Sequence, residues 1–214
     1  GIKGLYHLNL VDEVTQFQFV GSVERISEAF LLPVLEALIE RFPFTVLGFH
    51  ADNGSEYINH RVCALLNKLH VQEFTKSRAR RSNDNALVES KNGAVVRKHF
   101  GYAHIPGRFA ARVNDFAQNV LSPYLNFHRP CFFPTEEVDA KGRIRKRYRY
   151  EQMMTPYDKL KSLPDAGQYL KHGICFETLD AVAFSVSDND AARRLNQARD
   201  QLFLSISKAQ RPAA

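Results

Sequence analysis

With 214 residues, 44% of them hydrophobic and 24% charged, the chain has the size and balance of a globular domain carrying a smaller appendage. Its longest apolar stretch, residues 29–42, contains Pro33, Glu36, Glu40 and Arg41, which excludes a membrane span there. A net charge of +6 and a pI near 9.3 suit a polyanionic partner, because lysines and arginines that neutralise phosphates release condensed counterions.

Residues 5–10 and 17–23 are rich in β-branched, aromatic and leucine side chains and flank the polar stretch Asp12-Glu13-Val14-Thr15-Gln16. This pattern predicts an antiparallel hairpin. Ser27 can cap a helix running to about Arg41, with Phe30, Leu31, Val34, Leu35, Leu38 and Ile39 on one face, and Pro33 is expected to kink or delay it. Residues 45–50 (TVLGFH) form a short apolar run, as for a buried strand, with His50 packed in the core. The turn Asp52-Asn53-Gly54-Ser55 follows, then a helix over 58–69, a strand over 71–75 and a basic loop over 76–84. A long helix is expected over 85–100 and another over 113–126.

Beyond these, residues 141–150 (KGRIRKRYRY) interleave basic and aromatic side chains, suited to phosphate or base contacts, with a solvated β-hairpin as the alternative. Thr155-Pro156-Tyr157 starts a short helix, 164–167 reads as a linker, and a helix is expected over 190–207. The three cysteines, Cys63, Cys131 and Cys175, lie too far apart for a C-x-x-C or zinc pattern, so reduced thiols in a cytosol are expected. No signal peptide is visible at the start. The order of elements points to a mixed α/β fold rather than an all-helical DNA-binding module.

Two carboxylates occupy informative places. Asp52 follows the carboxyl end of a predicted strand, and Glu89 lies in the first turns of the helix after the basic loop. Strand ends and helix starts are where α/β proteins assemble sites, and two converging carboxylates suit Mg²⁺ or Mn²⁺. Each alone has a plainer reading: Asp-Asn-Gly is a common turn signal, and a glutamate early in a helix complements the helix dipole.

Taken together, D-N-G-S-E-Y, a helix, a short strand, a basic loop and then N-A-L-V-E-S-K-N resemble the integrase core of retroviral integrases and insertion-sequence transposases, the DDE-type enzymes. Residues 53–88, 36 in all, separate the two acids, close to the usual spacing of the second and third acids in that superfamily. The segments Asn126-Phe127-His128-Arg129-Pro130-Cys131 and Met154-Thr155-Pro156-Tyr157 also look like the region after the core in bacterial transposases.

The resemblance implies a ribonuclease H-like mixed sheet flanked by helices and metal-dependent DNA cleavage and strand transfer, with Mg²⁺ or Mn²⁺ as cofactor. It also implies double-stranded DNA (element ends and target) as partner, a homo-oligomer and a cytoplasmic, nucleoid-associated location. Carried over by motif, Asp52 is the second acid and Glu89 the third. Asn53 and Gly54 shape the turn, Ser55 approaches the DNA backbone, and Lys91, Arg97 and Lys98 face the DNA end. Arg78, Arg80 and Arg81 in the loop are open between DNA contact and a solvated loop, and Arg143, Arg145, Lys146 and Arg147 in the basic run complete the expected DNA contacts. His128 and Arg129 are open between core packing and DNA contact.

The resemblance covers residues 1–130, with 131–164 expected as a basic extension and 165–214 as a helical tail of unknown role. The family's first acid sits on a strand upstream of the part matching residues 5–23, so that strand is expected to be missing and the chain as given inactive. Asp12 is expected to be a turn residue. The alternatives are a catalytically dead DNA-binding remnant of a mobile element and, third, a ribonuclease H-like nuclease unrelated to transposition.

Overall fold

The structure, a computed structural model, describes residues 4–51, 60–77, 86–139 and 142–210. Six strands pair as three two-stranded sheets: β1 (Tyr6–Val11) with β2 (Gln18–Val23), β3 (Gly48–Ala51) with β4 (Glu73–Lys76), and β5 (Thr135–Val138) with β6 (Ile144–Arg147). The helices are α1 (Glu28–Glu40), α2 (His60–Lys68), α3 (Ala86–Lys91), α4 (Lys98–Phe100), α5 (Ala110–Phe116), α6 (Pro156–Lys161), α7 (Phe176–Ala183) and α8 (Asp188–Gln210). A π-helical segment, Asn92–Arg97, joins α3 to α4. The class is mixed α/β. No helix among the described residues is long and apolar enough to cross a membrane.

The expected hairpin forms, antiparallel, with Val11 opposite Gln18. Asp12 closes its turn, accepting hydrogen bonds from the Thr15 amide (2.7 Å) and hydroxyl (2.6 Å), while Gln16 takes the left-handed backbone (φ 59°). β2 is buried at every position and β1 only half-buried. Phe17 and Phe19 project into a cluster with Leu38, Phe42 and Phe44, whereas Val20 joins Val95, Phe100, Val113 and Leu121 on the opposite side. Side chains that alternate along one strand therefore feed two separate cores.

α1 lies directly on β2 because Gly21 leaves room for it: a Cβ at that position would stand 2.7 Å from Val34 Cγ1. Pro33 sits inside α1 without delaying its start. Leu31, Leu35 and Ile39 turn towards Val62, Leu65 and Leu66 of α2. Two surface ion pairs, Arg61–Glu28 and Lys68–Glu36, run alongside. At the carboxyl end of α1, Lys171 donates to the carbonyls of Ile39 (3.2 Å) and Glu40 (2.9 Å), in the last turn where carbonyls lack the usual helical partners.

Two differences from expectation have clear causes. β3, expected to be buried, is largely exposed, and His50 is no core residue: its ring bonds Thr75 Oγ1 (2.8 Å) and Ser77 Oγ (2.9 Å). Residues 164–167 are not a free linker either. A 3-10 turn, Ala166–Tyr169, leads to Leu170, which bridges Phe44, and Tyr157, Leu160 and Ala183 complete the core around Phe17. Leu195, Leu202 and Ile206 of α8 likewise pack into the cluster of Phe100 and Val113. The segment after residue 164 thus supplies core to both sides of the hairpin.

The outer edge of β2 is closed by side chains. Asn126 Oδ1 accepts from the Gln18 amide (2.8 Å) and its Nδ2 donates to the Gln18 carbonyl (3.1 Å). Asn114 does the same for Ser22, at 2.6 and 2.9 Å. Each primary amide imitates a neighbouring strand and satisfies buried backbone that would otherwise have no partner. Asn126 is 1% exposed. Leaving a buried donor and acceptor unmatched costs about 1–3 kcal/mol each, so Asn126→Leu should lower unfolding free energy by about 3 kcal/mol in urea titrations. A loss well under about 1 kcal/mol would show that this pairing contributes little.

Candidate functional site

α3 begins at Ala86 and carries Glu89 in its first turn, exposed to solvent. With the π-helical segment and α4 it forms the continuous helix expected over 85–100, ended by Gly101 at φ 71°. Three contacts hold this helix in place. Asn92, one turn beyond Glu89, accepts a hydrogen bond from Asn9 Nδ2 of β1 (2.7 Å), and Asn9 Oδ1 accepts from Gln18 Nε2 of β2 (2.7 Å). This amide relay ties the Glu89 helix to the buried strand. Arg129 reaches the Ala94 carbonyl at 3.5 Å.

The third contact corrects an expectation. Lys91 does not face outward with Glu89; it is buried, and its ammonium donates to Cys131 Sγ at 3.1 Å. Sequence spacing alone suggests a cation beside the acid. The helix instead turns Lys91 inward, under the neck of the β5–β6 hairpin, where Cys131 and Met154 exchange backbone hydrogen bonds. Arg97 and Lys98 are exposed, as a DNA-contacting role requires.

Asp52, Asn53, Gly54 and Ser55 lie outside the described residues, as do Arg78, Arg80 and Arg81 of the basic loop. Ala51, the residue before Asp52, ends β3 and is buried. β3 and β4 are parallel, with Ala51 opposite Lys76, so the chain leaves the carboxyl ends of both strands on the same side.

The 141–150 run is the second half of an exposed hairpin, β5–β6. Its arginines have partners within it: Arg145 pairs with Asp139 (3.0 Å), and Arg147 and Arg149 both pair with Glu137. Arg143 and Lys146 are exposed. His128 is buried and bonds Asp188 Oδ1 at 3.0 Å, which with the Arg129 contact settles both residues as tertiary links in this structure.

Sequence reasoning missed the asparagines. Asn9, Asn92, Asn114 and Asn126 fix the hairpin and the Glu89 helix. Their signal was available only as polar residues at otherwise apolar positions.

No family model matches the chain. It is similar to the uncharacterized protein y4rM of Sinorhizobium fredii, with 33% identity over 139 residues, covering 65% of this chain and 39% of that protein. The chain therefore spans well under half the length of that relative.

His99, at the end of the Glu89-bearing helix, is 4% exposed, and neither ring nitrogen has a partner among the described residues. Burial, aided by the positive charges of Lys98, Arg129 and Arg199, holds its pKa down from 6.5 to about 4. The imidazole thus stays neutral in the fold while it titrates normally once unfolded. Its contribution is complete above pH 6.5 and is lost as pH falls towards about 4. Thermal unfolding followed from pH 7 down to 4.5 should show a falling midpoint, with His99→Leu removing part of the slope. Identical slopes in both proteins would exclude His99 as the source.

Proposed function

We propose that the chain is the catalytic-core part of a DDE-type DNA transposase or integrase with a ribonuclease H-like fold, in which Asp52 and Glu89 are two of the metal-binding acids. The observation that carries this reading is the motif pair itself: D-N-G-S-E-Y directly after β3, and N-A-L-V-E-S-K-N on the helix that packs against β1. The order hairpin, α1, β3, α2, β4, α3 agrees with it.

The strand edges agree as well. The Asp12 amide donates to the Phe17 carbonyl, which sets the hydrogen-bonding parity of the hairpin. His7, Asn9 and Val11 accordingly turn their backbone groups away from β2. Among the described residues β1 and β3 each pair with one strand only. Leu8 and Leu10 of β1 share an apolar cluster with Val46 and Phe49 beside α1. On this reading a strand bearing the first acid would lie between these two edges and complete the donor set.

Carboxylates are the hard oxygen donors that Mg²⁺ or Mn²⁺ prefer. When bound, such ions activate a water or a 3′-hydroxyl and stabilise the leaving oxygen of a phosphodiester. The chain's own residues then have distinct tasks. Gln18, Asn9 and Asn92 hold the Glu89 helix on the sheet, and Arg97 and Lys98 meet the phosphates of double-stranded DNA.

A strand-transfer assay with Mg²⁺ tests this reading, run on the chain as given and on a version with a strand bearing an aspartate fused ahead of Gly1. Activity is expected where the first acid is supplied. Asp52→Asn and Glu89→Gln should each abolish cleavage and spare DNA binding, and Asp12→Asn should be mild because its carboxylate serves the turn. DNA binding without cleavage in every version would sink the enzyme and leave a DNA-binding remnant. Cleavage by the chain as given, lost on changing Asp12, would make Asp12 the first acid.

A further inference from the structure

The β5–β6 hairpin projects from a neck made by Cys131 and Met154, which bond each other's backbones at 2.8 and 3.3 Å. That neck stands on the Glu89-bearing helix through Lys91 and Cys131, and on the β1–β2 turn through Gln16 Nε2, which donates to the Phe132 carbonyl at 2.8 Å. The arm is therefore anchored both to the helix that carries Glu89 and to the β1–β2 turn.

Its two faces differ. Glu137 and Arg145 are opposite each other in the register, and their face carries the paired charges of Asp139, Glu137, Arg145 and Arg147. Val138 and Ile144 are also opposite each other, and alternation places Lys146 and Tyr148 with them. This second face carries Glu136 opposite Lys146, and around that pair its apolar side chains are open: Val138 is 70% exposed, Ile144 66% and Tyr148 58%. At its base Phe132 meets Tyr148 and Tyr150 edge-on, with ring centroids 6.4 and 5.2 Å apart, and Tyr150 is 78% exposed.

We propose that this aromatic face binds the unpaired bases of a single-stranded DNA segment, with Tyr148 and Tyr150 as stacking platforms. The proposal rests on the reading of the chain as a DNA-acting protein. Residues 135–150 hold six basic and three acidic side chains, a net +3, so the aromatic and aliphatic side chains of this face stand in a positive surround. Aromatic planes beside positive charge are what single strands require, since every base offers a π-face and every linkage a negative charge. A second copy of the chain would set +3 against +3. Duplex DNA buries its base faces and would leave these rings without use. On the other face Arg145 pairs with Asp139 while Arg147 and Arg149 share Glu137, so those arginines are less available to phosphates and the arm contributes chiefly stacking.

The test is a titration of the full chain with a single-stranded oligothymidylate and with a blunt duplex, followed by anisotropy at two salt concentrations. The double variant Tyr148→Ala/Tyr150→Ala should lose single-strand affinity by about tenfold or more, stacking being worth roughly that per base. Its duplex affinity should not change, and Tyr148→Phe/Tyr150→Phe should bind like the parent. Equal losses on both DNAs, or no loss on either, would overturn the stacking role without overturning DNA binding by the chain. Failure to bind either DNA would overturn the DNA reading itself. Sedimentation showing a dimer that dissociates in the alanine variant would assign the face to a second copy. Equal competition by polyglutamate would reduce it to charge alone.

Discussion

Everything else in the molecule is arranged around β2, a six-residue strand with no exposed position. A strand can be buried on both faces only if its backbone is satisfied along both edges. One edge pairs with β1; the other is closed by Asn114 and Asn126, whose amides reproduce the donor and acceptor of a neighbouring strand. Because those asparagines lie on and beyond α5, the same bonds that seal the edge dock the helical layer against the hairpin. α1 covers the opposite face at the close approach that Gly21 permits.

From β2 the order passes outward. Gln18 holds Asn9, Asn9 holds Asn92, and Asn92 fixes the helix that presents Glu89. Asn92 belongs to the sequence motif around Glu89, yet its contact is structural: it sets where the helix lies rather than touching a reactant. Lys91 acts in the same way from the other side of that helix by reaching Cys131. An exposed carboxylate thus stands on a helix held from two directions, which is how an open site keeps its geometry.

The elements with strong periodicity were legible before any coordinates: the hairpin, α1, the helix over Glu89 and the carboxyl-terminal helix. Local pattern was enough there because each buries one continuous apolar face. What escaped was set by long-range partners. Asn126 bonds a residue 108 positions away, and no local rule marks that asparagine as core. Lys91 and His128 carry charge or polarity into the interior, which is legible only once Cys131 and Asp188 are seen beside them. β3 was expected to be buried because TVLGFH is apolar, and its half-open state follows from having one neighbouring strand among the described residues. Of the acids, the described residues place Glu89 on an exposed helix turn, whereas Asp52 lies beyond them.

The basic residues divide by what already holds them. Lys91 is inside, Arg145, Arg147 and Arg149 are matched by Glu137 and Asp139, and Arg97, Lys98, Arg143 and Lys146 stand exposed. An arginine that must leave a carboxylate before meeting a phosphate gains only the difference between two ion pairs, which at an exposed site is small. Of the basic residues named here, those that no carboxylate matches are Arg97 and Lys98 on the Glu89-bearing helix and Arg143 and Lys146 on the arm, so on the proposed reading a duplex would meet that helix and the aromatic face of the arm would be left for strands that have come apart.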